Sequence, residues 1–292
     1  MKLLIEKRNY LILGIIVLLV IWILFNLFSK REVYMDSFDY FGESITIKVY
    51  DKVNQDNLSE DINKILKGYE DGEKDDDLIE YGRVLYMKSN GYIDVSDTEL
   101  IKALRRGENY KFESKINDNG FKDFDLDMIK GSYAISEVCD YFKQNNIESY
   151  IINEGGNVIT GKSYNDQKYK VSLSKYGSDK ILDIALLENK SLYTLNKSDE
   201  ITEYSVNPKT SETVDNFDSV SVIANDNLTA DMLVRTLFLM NEDEGRKYIE
   251  SFNAEALWQK GDDVLMTDGF KNYLQKWDKI LWKLGVVVVH YY

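Results

Sequence analysis

A nineteen-residue run over 10–28, YLILGIIVLLVIWILFNLF, in which Asn26 is the only strongly polar residue, constrains the fold more than any other feature of the chain. At ~1.5 Å per residue, a helix of this length spans about the ~30 Å thickness of the hydrocarbon core of a membrane. A cleaved signal peptide usually has a shorter apolar region that ends in small residues, whereas bulky side chains end this run. We therefore expect a cytoplasmic tail over 1–9 and one transmembrane helix over 10–28.

The charges beside this run predict the orientation of the rest of the chain. Three basic residues precede the run and two come after it, which slightly favours a cytoplasmic N-terminus. The chain has a single proline, so no proline-rich linker divides the residues after the run. We expect one extracytoplasmic domain over 32–276 at the cell membrane, and an apolar C-terminal extension over 277–292. This extension has three open interpretations, which are a last strand, a membrane contact and a partner-binding edge.

Composition excludes several classes of function. The net charge of -14 makes nucleic acid an unsuitable partner, because phosphate binding needs clustered Lys and Arg. The single cysteine, Cys139, forms no intrachain disulfide, and the single histidine, His290, is the third residue from the C-terminal end. Catalytic Ser-His-Asp or Cys-His pairs and two-histidine zinc sites are therefore excluded. Any chemistry must use carboxylates, hydroxyls, amides, lysines or a metal ion bound by oxygen.

Hydrophobic periodicity predicts a mixed fold. Alternating apolar residues, as in 44–50, indicate strands, and apolar residues at helical spacing, as in 57–69, indicate helices. Strands and helices do not alternate regularly, so the prediction is an α+β domain with a mostly antiparallel sheet. The predicted helices are 57–69, 76–88, 100–106, 132–144, 228–240, 242–252 and one from 268 towards 282; the predicted strands are 44–50, 111–116, 149–153, 157–160, 169–174, 181–187, 191–195 and 219–224.

Several short segments occur in an order that points to one family. These are MDS at 35–37 before the strand 45–50, DLDMIKGSYA at 125–134, INEGGNV at 152–158, NPKT at 207–210, VIA at 222–224, TAD at 229–231 and TDGFK at 267–271. Together they resemble the ApbE-type FAD:protein FMN transferases over residues 35–275. The resemblance implies a bilobed, T-fold-like α+β domain with a flavin pocket between its lobes. It also implies Mg²⁺-dependent transfer of FMN from FAD to a Thr or Ser hydroxyl of a partner protein outside the cytoplasm, with release of AMP.

The resemblance also suggests which residues form the site. Asp231 is the expected Mg²⁺ ligand and a catalytic carboxylate, because Mg²⁺ binds hard oxygen ligands, although it could instead complement the helix dipole. Asp127 is a candidate proton acceptor, with solvent as the alternative. Gly155 and Gly156 permit close approach of backbone to a ligand, but would equally suit an ordinary hairpin turn. The expected cofactor-binding residues are Tyr133, Glu154, Gly155, Gly156, Asn157, Asn207 and Thr210.

The sequence departs from the family pattern at positions that matter for catalysis. Tyr204, Asn207 and Ser211 stand where the family usually has His, Asp and Gly, and Asp127 replaces a glycine. Arg235 replaces a threonine that binds metal in the family, and its position four residues after Asp231 favours an ion pair on one helix face. The two main interpretations are retained FMN transfer, and an inactive domain that binds partners at the membrane. A flavin-binding redox subunit is a third interpretation.

Overall fold

An eight-stranded antiparallel sheet forms the centre of the protein, which is described here by a computed structural model covering residues 19–20, 33–73, 75–202 and 204–275. Its strand order is β1-β2-β3-β4-β7-β10-β11-β12, and every neighbouring pair is antiparallel. The eight strands are β1 (Tyr34–Tyr40), β2 (Glu43–Val49), β3 (Tyr150–Glu154), β4 (Asn157–Thr160), β7 (Lys190–Asn196), β10 (Ser219–Ala224), β11 (Glu255–Lys260) and β12 (Asp263–Met266).

Helices cover one face of this sheet and build the larger core. The inward side chains of β2, Ile45, Ile47 and Val49, are fully buried there, as the alternation predicts. The same core receives apolar residues from five helices, so burial of this face is the main apolar contribution to stability. The helices are α1 (Gln55–Glu70), α2 (Asp75–Lys88), α3 (Thr98–Arg105), α4 (Asp127–Gln144), α5 (Asn227–Leu239) and α6 (Glu242–Ile249), of which all but α3 line the larger core.

A smaller core lies on the opposite face of the sheet. It is formed by the hairpin β5 (Tyr169–Ser174) and β6 (Ile181–Leu187), and by a 3₁₀ helix over Asp268–Tyr273, which buries Phe270. A second small hairpin pairs β8 (Val206–Asn207) with β9 (Glu212–Thr213). Strand β10 is buried at all six positions because both cores contact it.

Three predicted elements differ from the observed ones. Residues 111–116 form no strand, because the backbone N–H groups of Phe112 and Lys115 donate to the hydroxyls of Ser211 and Ser96 instead of to a strand. Helix α4 begins at Asp127 rather than at 132, and so includes Gly131. The helix predicted from 268 is a 3₁₀ helix that ends at Tyr273, and its predicted continuation beyond residue 275 lies outside the described residues.

Strands β1, β11 and β12 were not predicted as elements. In β11 the residues Ala256 to Gln259 are all buried, so the period-two pattern that reveals a half-buried strand is absent. The described residues from Tyr34 onward form one compact unit around one continuous eight-stranded sheet.

The described part of the chain has no helix with the length and apolar character needed to cross a membrane. The segment over 10–28 lies outside the described residues except for Leu19 and Val20. The extension over 277–292 also lies outside them, so both remain predictions.

Candidate active site

Asp231 lies one turn into helix α5 in a buried position. The helix begins after Asp226, whose side chain caps it by accepting a hydrogen bond from the backbone N–H of Thr229 at 2.8 Å. Asp231 is only 3% exposed, and its Oδ1 accepts a hydrogen bond from Nε of Arg235 at 2.7 Å. Its Oδ2 accepts one from the hydroxyl of Ser132 at 2.9 Å. The ion pair that the spacing predicts is therefore confirmed, and each carboxylate oxygen has a donor.

The guanidinium of Arg235 is held from two sides. Its side chain is 12% exposed, and its Cζ lies 4.5 Å from the centroid of the Tyr204 ring, within cation–π range. Burial lowers the pKa of Arg235, but the charge and hydrogen bond of Asp231 together with the interactions of Tyr204 raise it overall, so the side chain stays a cation. Its Nη1 is buried and has no hydrogen-bond partner among the described residues. Within the described part of the chain, this charged donor therefore has no acceptor, an arrangement that is unfavourable without a ligand.

Glu154, at the end of β3, is a second buried carboxyl group near Asp231. It is 7% exposed, and the hydroxyl of Tyr193 donates to its Oε2 at 3.2 Å. Burial, and then the negative charge of Asp231, raise the pKa of Glu154 to about 7. A Cβ at position 131 would stand 2.5 Å from its Oε1, so the glycine there lets α4 approach the sheet. The carboxyl group of Glu154 therefore titrates near neutral pH.

Helices α4 and α5 are joined at the same point by polar contacts. The side-chain amide of Asn227 donates to the backbone oxygen of Ser132 at 2.6 Å, beside the contact of the Ser132 hydroxyl with Asp231. Sequence reasoning missed Ser132, Tyr193 and Asn227, although Ser132 lies within the DLDMIKGSYA segment. Ser132 and Asp231 are 99 positions apart, and no spacing in the sequence indicates that they meet. We refer to Asp231, Arg235, Ser132, Glu154 and Tyr193 as the carboxylate centre.

The Gly155–Gly156 turn joins β3 to β4 and borders a cleft of about 360 Å³. Their φ values of 54° and 101° are both positive, as a two-residue hairpin turn of this handedness requires. The Oδ1 atom of Asn157 accepts a hydrogen bond from the backbone N–H of Thr194 at 3.1 Å, which ties the turn to β7. The cleft is lined by Gly155, Gly156, residues 172–178 of the β5–β6 hairpin, Leu192, Thr194 and Asn196.

The hairpin side of the cleft carries residues that sequence reasoning missed. Lys175 and Tyr176 lie near the tip of the β5–β6 hairpin and line the cleft. The backbone N–H of Tyr176 donates to the side chain of Gln259 at 3.0 Å, so the tip is anchored to β11. Their place at the cleft depends on how the hairpin folds over the sheet, and no motif in the sequence marks it.

The predicted site residues Asn207 and Thr210 belong to the tight turn between β8 and β9. The Oδ1 atom of Asn207 accepts from the backbone N–H of Lys209 at 3.0 Å, and Asn207 is buried while Thr210 is exposed. Ser211 has a φ of 62°, a left-handed conformation that explains why the family pattern has glycine here. Asn207 therefore shapes this turn in the described structure.

Asp127 and Tyr133 lie on successive turns of α4 in different surroundings. The side chain of Asp127 is 87% exposed and accepts from Nζ of Lys130 at 2.8 Å. Tyr133 is half-buried, and its ring centroid lies 4.9 Å from that of Tyr81 and 5.5 Å from that of Tyr69. The buried hydroxyl of Tyr81 has no hydrogen-bond partner among the described residues, and burial followed by the charge of Asp231 raises its pKa well above the usual value.

The donors around Asp231 do not fit the Mg²⁺ ion that the resemblance implies. Mg²⁺ needs carboxylate or other oxygen ligands in near-octahedral geometry. Here both oxygens of Asp231 accept hydrogen bonds, and one of the two donors is a permanent cation. Within the described ranges, no group of three His, Cys, Asp or Glu side chains could hold a metal ion. We therefore derive no chemical step through a metal at this centre.

Comparisons with known proteins identify relatives of this fold. The model of the ApbE family matches residues 96–258, which include the carboxylate centre and the Gly155–Gly156 turn. No curated protein sequence matches the chain. Three solved structures match with 84% of this chain covered: the flavin transferase ApbE from Vibrio cholerae (TM-score 0.69, 17% identity, 100% of that chain), the apo flavinyl transferase ApbE from Pseudomonas stutzeri (0.67, 15%, 98%) and the ApbE protein from Thermotoga maritima (0.67, 18%, 100%). At these identities the structural likeness shows a shared fold.

Proposed function

The chain belongs to the ApbE family, and from this membership we propose that it transfers FMN from FAD to the hydroxyl of a Thr or Ser in a partner protein, releasing AMP. The observation that carries the proposal is the family match over residues 96–258, because this range contains both the carboxylate centre and the cleft at the Gly155–Gly156 turn. FAD is the donor substrate, and an acceptor protein is the second substrate.

The proposed reaction is a displacement at the phosphorus atom on the FMN side of the FAD pyrophosphate. The acceptor oxygen forms a new bond to this phosphorus while the bond to the bridging oxygen breaks, and AMP leaves with the bridging oxygen. Negative charge develops on the phosphate oxygens, so the site must supply positive charge and hydrogen-bond donors. The hydroxyl proton of the acceptor must also be removed.

Asp127 keeps its proposed role as the group that accepts this proton. With 87% of its side chain exposed, it is accessible to the hydroxyl of a separate protein, and it accepts a hydrogen bond from Nζ of Lys130. Glu154 is the alternative carboxylate, since its pKa of about 7 leaves a large ionised fraction at neutral pH.

We propose that FAD lies against the Gly155–Gly156 turn, where the absence of side chains lets a ligand approach the backbone closely. Tyr133 and Asn157 remain proposed contacts of the flavin end. Asn207 and Thr210 remain proposed contacts as well. The cleft of about 360 Å³ lies within the size range of small-molecule sites.

The proposal is tested with the full-length chain, purified in mild detergent because of its apolar N-terminal run. The chain is incubated with FAD and an acceptor protein that carries an Asp-x-x-Ser/Thr-Gly/Ala-Ala/Ser-Thr segment, in Mg²⁺ and in EDTA. AMP release and covalent flavin fluorescence on the acceptor are both measured. Asp231→Asn is the site variant, and Glu60→Gln, on the exposed face of α1, is the matched control.

We expect the wild-type chain and Glu60→Gln to transfer FMN to the acceptor. We expect no transfer to an acceptor that lacks the hydroxyl. Neither AMP nor flavinylated acceptor in any condition would refute the proposed activity. That result would favour the alternative, a non-catalytic domain that binds partner proteins. A requirement for Mg²⁺ would agree with the resemblance and disagree with the donor set around Asp231.

We also propose that residues 10–28 anchor the chain in the cell membrane with the domain outside the cytoplasm. The support is the length and apolar character of this run and the slight excess of basic residues before it. We expect the chain to stay in the membrane fraction during alkaline carbonate extraction. We also expect protease added outside intact cells to digest the domain. Release by carbonate or protection from the protease would contradict the proposal.

A further inference from the structure

We propose that Arg235 supplies the positive charge that binds the pyrophosphate of FAD in this chain, in place of a divalent metal ion at Asp231. The inference rests on the proposed function, since it concerns how the donor substrate is bound. Its starting point is that the hydrogen-bond donors around Asp231 do not suit the Mg²⁺ ion that the resemblance implies.

Both carboxylate oxygens of Asp231 already have hydrogen-bond donors. Its Oδ1 accepts from Nε of Arg235 at 2.7 Å, and its Oδ2 accepts from the hydroxyl of Ser132 at 2.9 Å. A metal ion on Asp231 would have to share these oxygens with the two donors and would be repelled by the neighbouring guanidinium. The arrangement therefore makes Asp231 the anchor of a cation that is part of the protein.

Arg235 keeps hydrogen-bonding capacity beyond its contact with Asp231. A guanidinium has five N–H donors in a planar fork, and Asp231 receives the hydrogen bond from Nε. Nη1 is buried and has no partner among the described residues. A planar fork with unused donors matches two oxygens of a phosphate better than any other side chain does.

Two contacts fix the orientation of the guanidinium. The ring of Tyr204 lies against the face of the guanidinium, with 4.5 Å between the Cζ atom and the ring centroid. Asp231 holds the Nε edge of the guanidinium through a hydrogen bond. These two contacts hold the plane of the guanidinium without a ligand present, so little conformational entropy is lost when an anion binds. Asp231 and Tyr204 are thus positioning residues, and Arg235 is the residue that contacts the substrate.

A buried hydroxyl beside the centre points to the same place. Tyr81 has an Oη atom with no hydrogen-bond partner among the residues that the structure describes, and its ring lies 4.9 Å from that of Tyr133, the neighbour of Ser132 in α4. Two buried donors without an acceptor among the described residues indicate room for an acceptor, because unpaired buried donors are rare in native proteins. A phosphate oxygen supplies acceptors for both.

The test measures binding of FAD to the full-length chain, separately from turnover. Dissociation constants are obtained from flavin fluorescence anisotropy in about 1 mM EDTA and again in excess Mg²⁺, roughly the conditions that empty and saturate an ordinary Mg²⁺ site. The variants are Arg235→Met, which removes the charge, and Arg235→Thr, which provides the residue that the family pattern has. The double variant Asp231→Asn/Arg235→Gln removes both buried charges together, so neither is left unpaired and the variant is more apt to fold. Far-ultraviolet circular dichroism checks that each variant is folded.

The expected result is that the wild-type chain binds FAD equally well in EDTA and in Mg²⁺. Arg235→Met and the double variant should bind about 10- to 100-fold more weakly in both conditions, the loss of one or two charged hydrogen bonds. Arg235→Thr should lose affinity in EDTA and recover part of it in Mg²⁺. Binding by the wild type only in Mg²⁺, or unchanged binding by a folded double variant, would overturn the inference and leave the transfer reaction intact. No FAD binding in any condition would instead refute the proposed function, and the inference with it.

Discussion

Replacing Glu154 by glutamine should change how the stability of the protein depends on pH. Glutamine has nearly the same shape, keeps an oxygen that can accept from the hydroxyl of Tyr193, and has no ionisable proton. In the wild-type chain, burial and the charge of Asp231 raise the pKa of Glu154 from 4.5 to about 7. The folded state therefore binds a proton between these pH values that the unfolded state has already released.

The sign and the size of the effect result from linkage between protonation and folding. Because the folded pKa is above the unfolded one, protonation of Glu154 favours the folded state at low pH. This contribution falls as the pH rises from about 4.5 to about 7, and it is absent above that. At about 1.4 kcal/mol per pKa unit, the wild-type chain should lose roughly 2 to 3 kcal/mol of stability between pH 5 and pH 8 through this group. Glu154→Gln should not show this loss, which for a domain of this size corresponds to roughly 5 to 10 °C in Tm.

The measurement is thermal unfolding of the wild-type chain and of Glu154→Gln between pH 5 and pH 8 at constant ionic strength. The difference in Tm between them cancels other titrating groups, and it should grow in favour of Glu154→Gln as the pH rises. Glu60→Gln, on the exposed face of α1, is the control whose difference should stay flat. A flat difference for Glu154→Gln would show that this carboxyl group titrates normally, and would refute the reasoning about its burial beside Asp231.

Three further pairs of substitutions test packing and backbone conformation, and each pair is compared by urea denaturation. Asp231→Ala leaves the guanidinium of Arg235 buried without its partner and should lower the free energy of unfolding by about 3 to 5 kcal/mol, more than Asp231→Asn; an equal loss in both would contradict the ion-pair argument. Gly161→Ala places a Cβ against a backbone carbonyl oxygen and should cost about 1 to 3 kcal/mol, whereas Gly68→Ala, within α1 and with no atom closer than 3.9 Å, should gain about 0.5 to 1 kcal/mol. Ser211→Ala loses a 2.9 Å hydrogen bond and keeps the left-handed backbone, and so should lose about 1 kcal/mol more than Ser211→Gly; identical midpoints would exclude backbone strain at this turn.

Local patterns predicted the elements that carry the site. The alternation in 44–50 corresponds to β2, because one face of this strand is buried and the period survives in the sequence. The helix predicted over 228–240 corresponds to α5, which is apolar and buried at most of its positions. The Gly155–Gly156 turn was predictable because only two residues separate the strands. Strand β11 lacked such a signal, since its consecutive buried residues contact cores on both faces of the sheet.

Substitutions relative to the family pattern were also visible in the sequence, but their consequences were not. The spacing of Asp231 and Arg235 predicted an ion pair, because residues four apart on a helix are neighbours wherever the helix lies. It did not predict that the pair would be buried, nor that Tyr204 would lie against the guanidinium. Burial decides the chemistry, since an exposed pair would leave Asp231 accessible to a metal ion.

The sequence by itself determined the α+β class, the hairpin at Gly155–Gly156 and the pairing of Asp231 with Arg235, because each depends on residues that are close along the chain. Only the tertiary structure decided that Ser132, 99 positions away, donates to Asp231, and that Glu154 is buried beside them with a pKa of about 7. The physical reason is that hydrogen bonds between distant segments, and the desolvation that shifts a pKa, arise only when α4, α5 and the sheet pack together and exclude water.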